Sequence, residues 1–156
     1  DGRITKNKIA EFLSQKKAET ISIKYPNDII IGADTIVISK GEIFGKPKDE
    51  EESKQMLKML SGNSHEVITG VTLINEGKGA IKTFSEATEV FVCEIPKNQI
   101  EYYIKNFNTL DKAGSYGIQE WFSIWIEKIN GCYYNVMGLP ASKFYLNLDE
   151  FKNKIK

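Results

Sequence analysis

One histidine, one arginine and two cysteines are all that 156 positions offer of those residues. A lone His65 cannot build a multi-histidine zinc site or an H-E-x-x-H protease, and a Ser-His-Asp triad would rest on it alone. With Arg3 the only arginine among 21 cationic residues, bidentate clamps on phosphate are nearly absent and lysine must take that role. Cys93 and Cys132 lie far apart, without a Cys-x-x-Cys pair or an N-x-[ST] sequon. Both read as buried thiols in a reducing compartment. No apolar run approaches the ~18 residues of a membrane-spanning helix, and Asp1 to Lys8 is polar rather than a signal-type core, so the expected setting is the cytoplasm, with no membrane partner. The 21 cations are matched by 21 carboxylates, which argues against a nucleic-acid polymer as partner, because such binding needs a basic excess. What remains is chemistry built on carboxylates and lysines. The length suits one domain, 1–156, that needs no disulfide or metal staple.

Apolar spacing then sets out the elements. Thr5 to Thr20 places Ile9, Phe12 and Leu13 on one face, predicting an amphipathic helix. Ile29 to Ser39 is β-branched and nearly all apolar, predicting a strand buried on both faces of a mixed or parallel sheet. Asp49 followed by three glutamates caps a second helix with Met56, Leu57 and Leu60 as its stripe, and Gly62 ends it. His65 to Ile74 and Ala80 to Ile95 form a long hairpin across Gly77-Lys78-Gly79. Pro96 opens a helix with Ile100, Tyr103, Ile104 and Phe107 on one face; Asn108 to Glu120 is a loop. Phe122 to Ile129 and Cys132 to Val136 are expected as a hairpin across Asn130-Gly131, and a last helix follows Pro140 carrying Phe144, Leu148 and Phe151. The fold class is α/β, a single unit without repeats or linkers.

Within that frame Asp34 stands out. An ionised carboxylate inside so apolar a run is costly unless it is paired, bound to a cation or opened to a cleft. Gly32 and Ala33 before it let a ligand or another backbone approach. An aspartate satisfied by backbone amides is the structural alternative. Twelve positions on, Gly45-Lys46-Pro47 holds a lysine extended beside a residue without bulk, as a phosphate ligand needs, although taken alone such a tripeptide is a turn. It is not a P-loop, because Pro47 stands where Ser or Thr belongs. Asp111 to Gln119 mixes opposed charges and glycines, and the Gln119 amide offers both a donor and an acceptor to a base edge. His65 reads as a structural hydrogen-bonder at a strand end, and Trp121 and Trp125 as core or interface bulk.

The order of these segments is more specific than any one of them. GADTIV at 32–37, GKP at 45–47, MLKMLSGNSHEVITGV at 56–71, DKAGSYGIQ at 111–119 and INGCYYNVMGLP at 129–140 together resemble the Maf family of nucleotide pyrophosphatases, from Ile9 to Pro140. The resemblance implies a mixed twisted sheet with flanking helices, in two lobes around a cleft, of the inosine-triphosphatase-like kind, and a homodimer. It implies hydrolysis of nucleoside triphosphates, dTTP and UTP or modified nucleotides, to monophosphate and pyrophosphate as a house-cleaning activity. A divalent metal, magnesium or else manganese, accompanies it. Carried over by position, Asp34 matches the catalytic aspartate, with either a metal-ligating or a water-activating role, Lys46 and Lys17 match active-site lysines, and Gln119 with Thr35 falls on the substrate side. Two departures stand against the family pattern. Glu120 replaces the glycine expected after the glutamine, and the family's opening strand with its Ser-x-Ser-Pro-Arg-Arg loop has no counterpart before Asp1. The competing expectation is a regulator linked to cell division or septum formation that binds nucleotides without turning them over.

Overall fold

In the computed structural model residues 6–156 are described; Arg3 and Thr5, and so the first residue of the expected opening helix, lie outside them. The architecture is α/β. Helix α1 (Lys6–Ser22) precedes strands β1 (Ile30–Ser39) and β2 (Glu42–Phe44), helix α2 (Glu50–Leu60), strands β3 (Ser64–Asn75) and β4 (Ala80–Val92), and helix α3 (Lys97–Asn106). Strand β5 (Ile126–Asn130) and helices α4 (Tyr133–Met137) and α5 (Ala141–Ile155) complete the chain. One five-stranded sheet has the order β2-β1-β3-β4-β5. Strand β2 pairs antiparallel with β1, Val37 opposite Phe44, and β5 pairs antiparallel with β4, Val90 opposite Ile129. Among the described residues no helix is long and apolar enough to cross a membrane.

Chain contacts divide the molecule into two compact units. The first takes the described residues up to Thr35 with Ile68–Ala87 and Tyr134–Lys156; the second takes Ile36–Val67 and Thr88–Tyr133.

In the first unit α1 lies on the sheet through small residues. Its buried positions are Ala10, Ser14, Ala18 and Ser22, one every four residues, while Phe12 is 57% exposed. The expected face of Ile9, Phe12 and Leu13 is therefore corrected: Leu13 is exposed and Ile9 only half-buried. The reason is steric. A Cβ added to Gly32 of β1 would stand 2.2 Å from the Ser14 carbonyl oxygen, and one added to Gly70 of β3 would stand 2.3 Å from the Ala10 carbonyl. Backbone meets backbone there, which excludes large side chains from the contact. Hydroxyls fill the remaining polar needs: Ser14 Oγ donates to the Glu11 carbonyl at 2.7 Å and lies 2.8 Å from Thr72 Oγ1, itself 3.0 Å from Thr83 Oγ1.

The second unit follows its expected caps. The Asp49 carboxylate accepts from Glu52 N–H at 2.8 Å, while Glu52 accepts from Lys48 N–H at 2.8 Å. Gly62, at φ 67°, follows the end of α2 in the left-handed region. Strand β1 is buried throughout only from Ile36 to Ser39; Ile31 is exposed, so continuous burial on both faces holds only for the last four residues of the expected run. The expected hairpin across Asn130-Gly131 does not form. Trp121–Trp125 is a 3₁₀ helix, β5 takes β4 as its partner, and the chain turns at Gly131 into α4 instead of a strand. A Cβ on Gly131, whose φ is 136°, would stand 2.7 Å from Thr88 Oγ1, so this glycine is a close approach to β4 rather than a hairpin tip. Cys93 and Cys132 are free and half-buried, not fully buried as expected.

His65 is structural in its surroundings. It is buried in β3, its Nε2 lies 2.6 Å from Tyr116 Oη, and its Nδ1 has no partner among the described residues. Burial lowers its pKa from 6.5 to about 4. Folding therefore favours the neutral ring, so stability is intact above pH 6.5 and is lost as pH falls toward 4. Between pH 7.5 and pH 5 this group should cost the fold about 2 kcal/mol. Urea unfolding of the native protein and of His65→Gln at both pH values should show that extra loss in the native protein alone; equal losses would refute the assignment.

Candidate active site

The strand that carries Asp34 sits against α1 because Gly32, two residues earlier on the same face, lets the helix approach. That contact brings Lys17 onto the strand. Its ammonium forms an ion pair with Asp34 Oδ1 and donates to the Ala33 carbonyl at 3.3 Å. The Asp34 side chain is only 15% exposed, whereas that of Lys17 is 60% exposed. A mostly sheltered carboxylate thus holds one oxygen against a cation whose stem reaches from solvent. The amide-satisfied alternative for Asp34 is not what the structure shows.

Thr35 points to the other face of β1. Thr69 Oγ1 donates to the Asn135 carbonyl at 2.9 Å, so in the 2.8 Å contact between Thr35 and Thr69 the proton must come from Thr35. The Thr35 hydroxyl is thus a donor to Thr69 in this structure.

Lys46 and Gln119 belong to the second unit. Lys46 is exposed between exposed Gly45 and buried Pro47. Its loop is tied to the Asp111–Gln119 segment, since the Gly114 amide donates to the Gly45 carbonyl at 3.1 Å. Lys46 also acts on Asp111, whose carboxyl is held below its usual range mainly by its hydrogen bond with Lys112. Gly114 stands at φ 68°, where its absent Cβ would press on Val37 at 3.0 Å. Gln119 projects into solvent from the end of this loop. The structure accordingly brings Lys17 and Asp34 together in one unit, and the Lys46 loop and the Gln119 loop together in the other.

The family model for Maf-like proteins matches residues 2–151. The chain belongs to the Maf family. Among its relatives in that family, the dTTP/UTP pyrophosphatase of Cytophaga hutchinsonii is 45% identical over 151 residues, covering 96% of this chain and 68% of the relative. That of Clostridium botulinum is 47% identical, covering 94% of this chain and 80% of the relative, and that of Carboxydothermus hydrogenoformans is 45% identical over 92% and 77%.

Against the Maf pattern, Glu120 is the residue whose environment says most. It folds back onto Lys112 and Tyr103. The sequence shows Lys112 inside a mixed-charge loop and Tyr103 on an apolar helix face, and nothing in either pattern announces their meeting. Only the departure at Glu120 marks the place.

Among the described residues no cluster of three or more His, Cys, Asp or Glu stands where it could hold a metal ion. Asp34 remains as a single carboxylate. A single carboxylate suits a divalent ion whose shell is completed by substrate phosphates and waters, not an all-protein cage.

Proposed function

We propose that this protein hydrolyses nucleoside triphosphates, dTTP and UTP among them, to the monophosphate and pyrophosphate. The observation that carries the reading is the ion pair between sheltered Asp34 and exposed Lys17 on a strand that a helix approaches at backbone contact. Water attacks the α-phosphorus; the bond from that phosphorus to the bridging oxygen breaks, and pyrophosphate leaves with the bonding electrons. Asp34 takes or orients the proton of the attacking water, a role open to a carboxylate within hydrogen-bond reach. In this reading Lys17 shifts from Asp34 to a phosphate oxygen and Lys46 supplies a second cation, because stabilising charge on the phosphoryl oxygens is most of what this chemistry asks of a protein. A divalent ion, magnesium or manganese, would be held by Asp34 with the phosphates and would neutralise charge on their oxygens.

Thr35, tied to Thr69 on the strand that carries Asp34, stands on the substrate side as well. Gln119 reads the base. The protein acts as a homodimer in the cytoplasm, clearing unwanted nucleotides from the pool. Incubation with a panel of triphosphates and magnesium, with pyrophosphate as the readout, tests the reading. Release from UTP and dTTP ahead of the purine nucleotides is the expected result. Nucleotide binding without pyrophosphate would overturn it in favour of the regulator.

A further inference from the structure

Gln119 stands third in a four-residue turn, Gly117 to Glu120, closed by the Glu120 amide donating to the Gly117 carbonyl at 3.1 Å. Both ends of that turn meet one hydroxyl. The Gly117 amide donates to Tyr103 Oη at 3.2 Å, and the same hydroxyl donates to Glu120 Oε2 at 2.9 Å. The other Glu120 oxygen lies 3.0 Å from Lys112 Nζ, which also donates to the Asn108 carbonyl at 2.8 Å and pairs with Asp111 at 2.7 Å. The pair is folded down on the turn: a Cβ on Gly117 would stand 2.9 Å from Glu120 Cδ and 3.1 Å from Lys112 Cε.

The anchor beneath is rigid. Tyr103 is 1% exposed, stacks on Trp121 at 5.8 Å between ring centroids, and packs against Phe107 and Phe122. Burial raises its phenol pKa, the Gly117 amide lowers it and the Glu120 carboxylate raises it further, so the hydroxyl keeps the proton it donates. At Lys112 burial works against the charge, but hydrogen bonds with Asp111 and Glu120 outweigh it.

We propose that Tyr103, Glu120 and Lys112 form a clamp that holds the tip of the Gly117–Glu120 turn and so sets the base selectivity exercised through Gln119, with Glu120 as its positioning residue. The inference rests on the proposed triphosphate chemistry. A glutamine amide matches the donor and acceptor edge of a uracil-type base only at one height and angle. A tip held at both ends presents it there, whereas a loose tip samples several positions and treats pyrimidine bases more alike.

The test uses the full chain and its Glu120→Ala, Glu120→Gln and Tyr103→Phe variants. Pyrophosphate release from UTP and CTP gives the ratio of kcat/KM values, and amide hydrogen exchange over residues 113–120 in nucleotide-free protein reports the turn. Glu120→Ala should bring the UTP-to-CTP ratio at least about tenfold closer to one while kcat for the better substrate changes less than about threefold, and should speed exchange at least about tenfold. Glu120→Gln, which still accepts from Tyr103, should recover part of both effects, and Tyr103→Phe should resemble Glu120→Ala. A ratio unchanged within twofold, with or without faster exchange, overturns the proposal. If the native protein releases no pyrophosphate from any nucleotide, the proposed function has failed instead. The ratio of dissociation constants for UTP and CTP, from equilibrium dialysis, then decides the clamp by the same criteria.

Discussion

Asp34→Asn should abolish most pyrophosphate release, by about 10²- to 10⁴-fold, the range seen when a positioned acid or base is removed. The swap preserves volume and keeps one oxygen facing Lys17, but removes the charge that draws a water proton or a divalent ion. Stability should barely change. The lysine of the Lys17–Asp34 pair is well exposed, and ion pairs open to water contribute only about 0–1 kcal/mol. Lys17→Ala and Lys46→Ala should each slow turnover by about tenfold to a thousandfold through loss of one stabilising contact to phosphate. The comparison between them is informative, because Lys17 touches Asp34 and Lys46 does not share that strand. Circular dichroism and thermal melts beside the turnover assay separate chemistry from folding. Unchanged turnover in Asp34→Asn would leave the carboxylate as a structural partner of Lys17 and remove the centre of the proposed mechanism.

Much of the candidate site is legible in residue order, because the patterns that point to it are local in the chain. Asp34 declared itself by standing in an apolar strand, and Gly45-Lys46-Pro47 by its fixed geometry. The Asp49 cap and the β3–β4 hairpin likewise depend on neighbours within a few positions. What escaped depends on distance along the chain. The apolar period of α1 favours Phe12 and Leu13 as the buried face, since hydropathy counts what a side chain would gain from burial and not whether there is room for it. Gly32 and Gly70 remove that room, and small residues take the contact. Asn130-Gly131 has the composition of a hairpin turn, yet β5 finds its partner in β4, leaving the residues after Gly131 free to coil into α4. The clamp at Glu120 joins Tyr103, 17 positions away, and no local pattern carries that separation.

Gly32→Ala should be a strongly destabilising single-methyl change in the first unit and should slow turnover as well. Ordinarily alanine in a strand is favoured over glycine by ~0.5–1 kcal/mol, because glycine loses more freedom on folding. Here the new Cβ would lie 2.2 Å from the Ser14 carbonyl oxygen and 2.9 Å from both the Ala18 amide nitrogen and Cβ. A non-bonded carbon needs ~3.5 Å, and the obstacle is helix backbone, which has no rotamer to yield. Helix α1 must therefore retreat by about 1 Å, opening the hydroxyl contacts at Ser14 and the tight seam at Gly70 together. A cost of about 3 kcal/mol follows, at the upper end for overpacking, and for a chain of this size that lowers Tm by about 6–12 °C. Lys17 lies on the same helix, one residue before Ala18, so the retreat also draws its ammonium from Asp34. Displacement of a site by about 1 Å can cost 10²-fold in rate. Gly41→Ala is the control: unlike Gly32, Gly41 has no steric neighbour within 4 Å, and it stands at φ 87°, so only the backbone penalty of about 1–2 kcal/mol should appear and turnover should hold. Equal melting temperatures for Gly32→Ala and the native protein would mean that α1 does not rest on β1 at backbone contact, and the placement of Lys17 beside Asp34 would lose its structural cause.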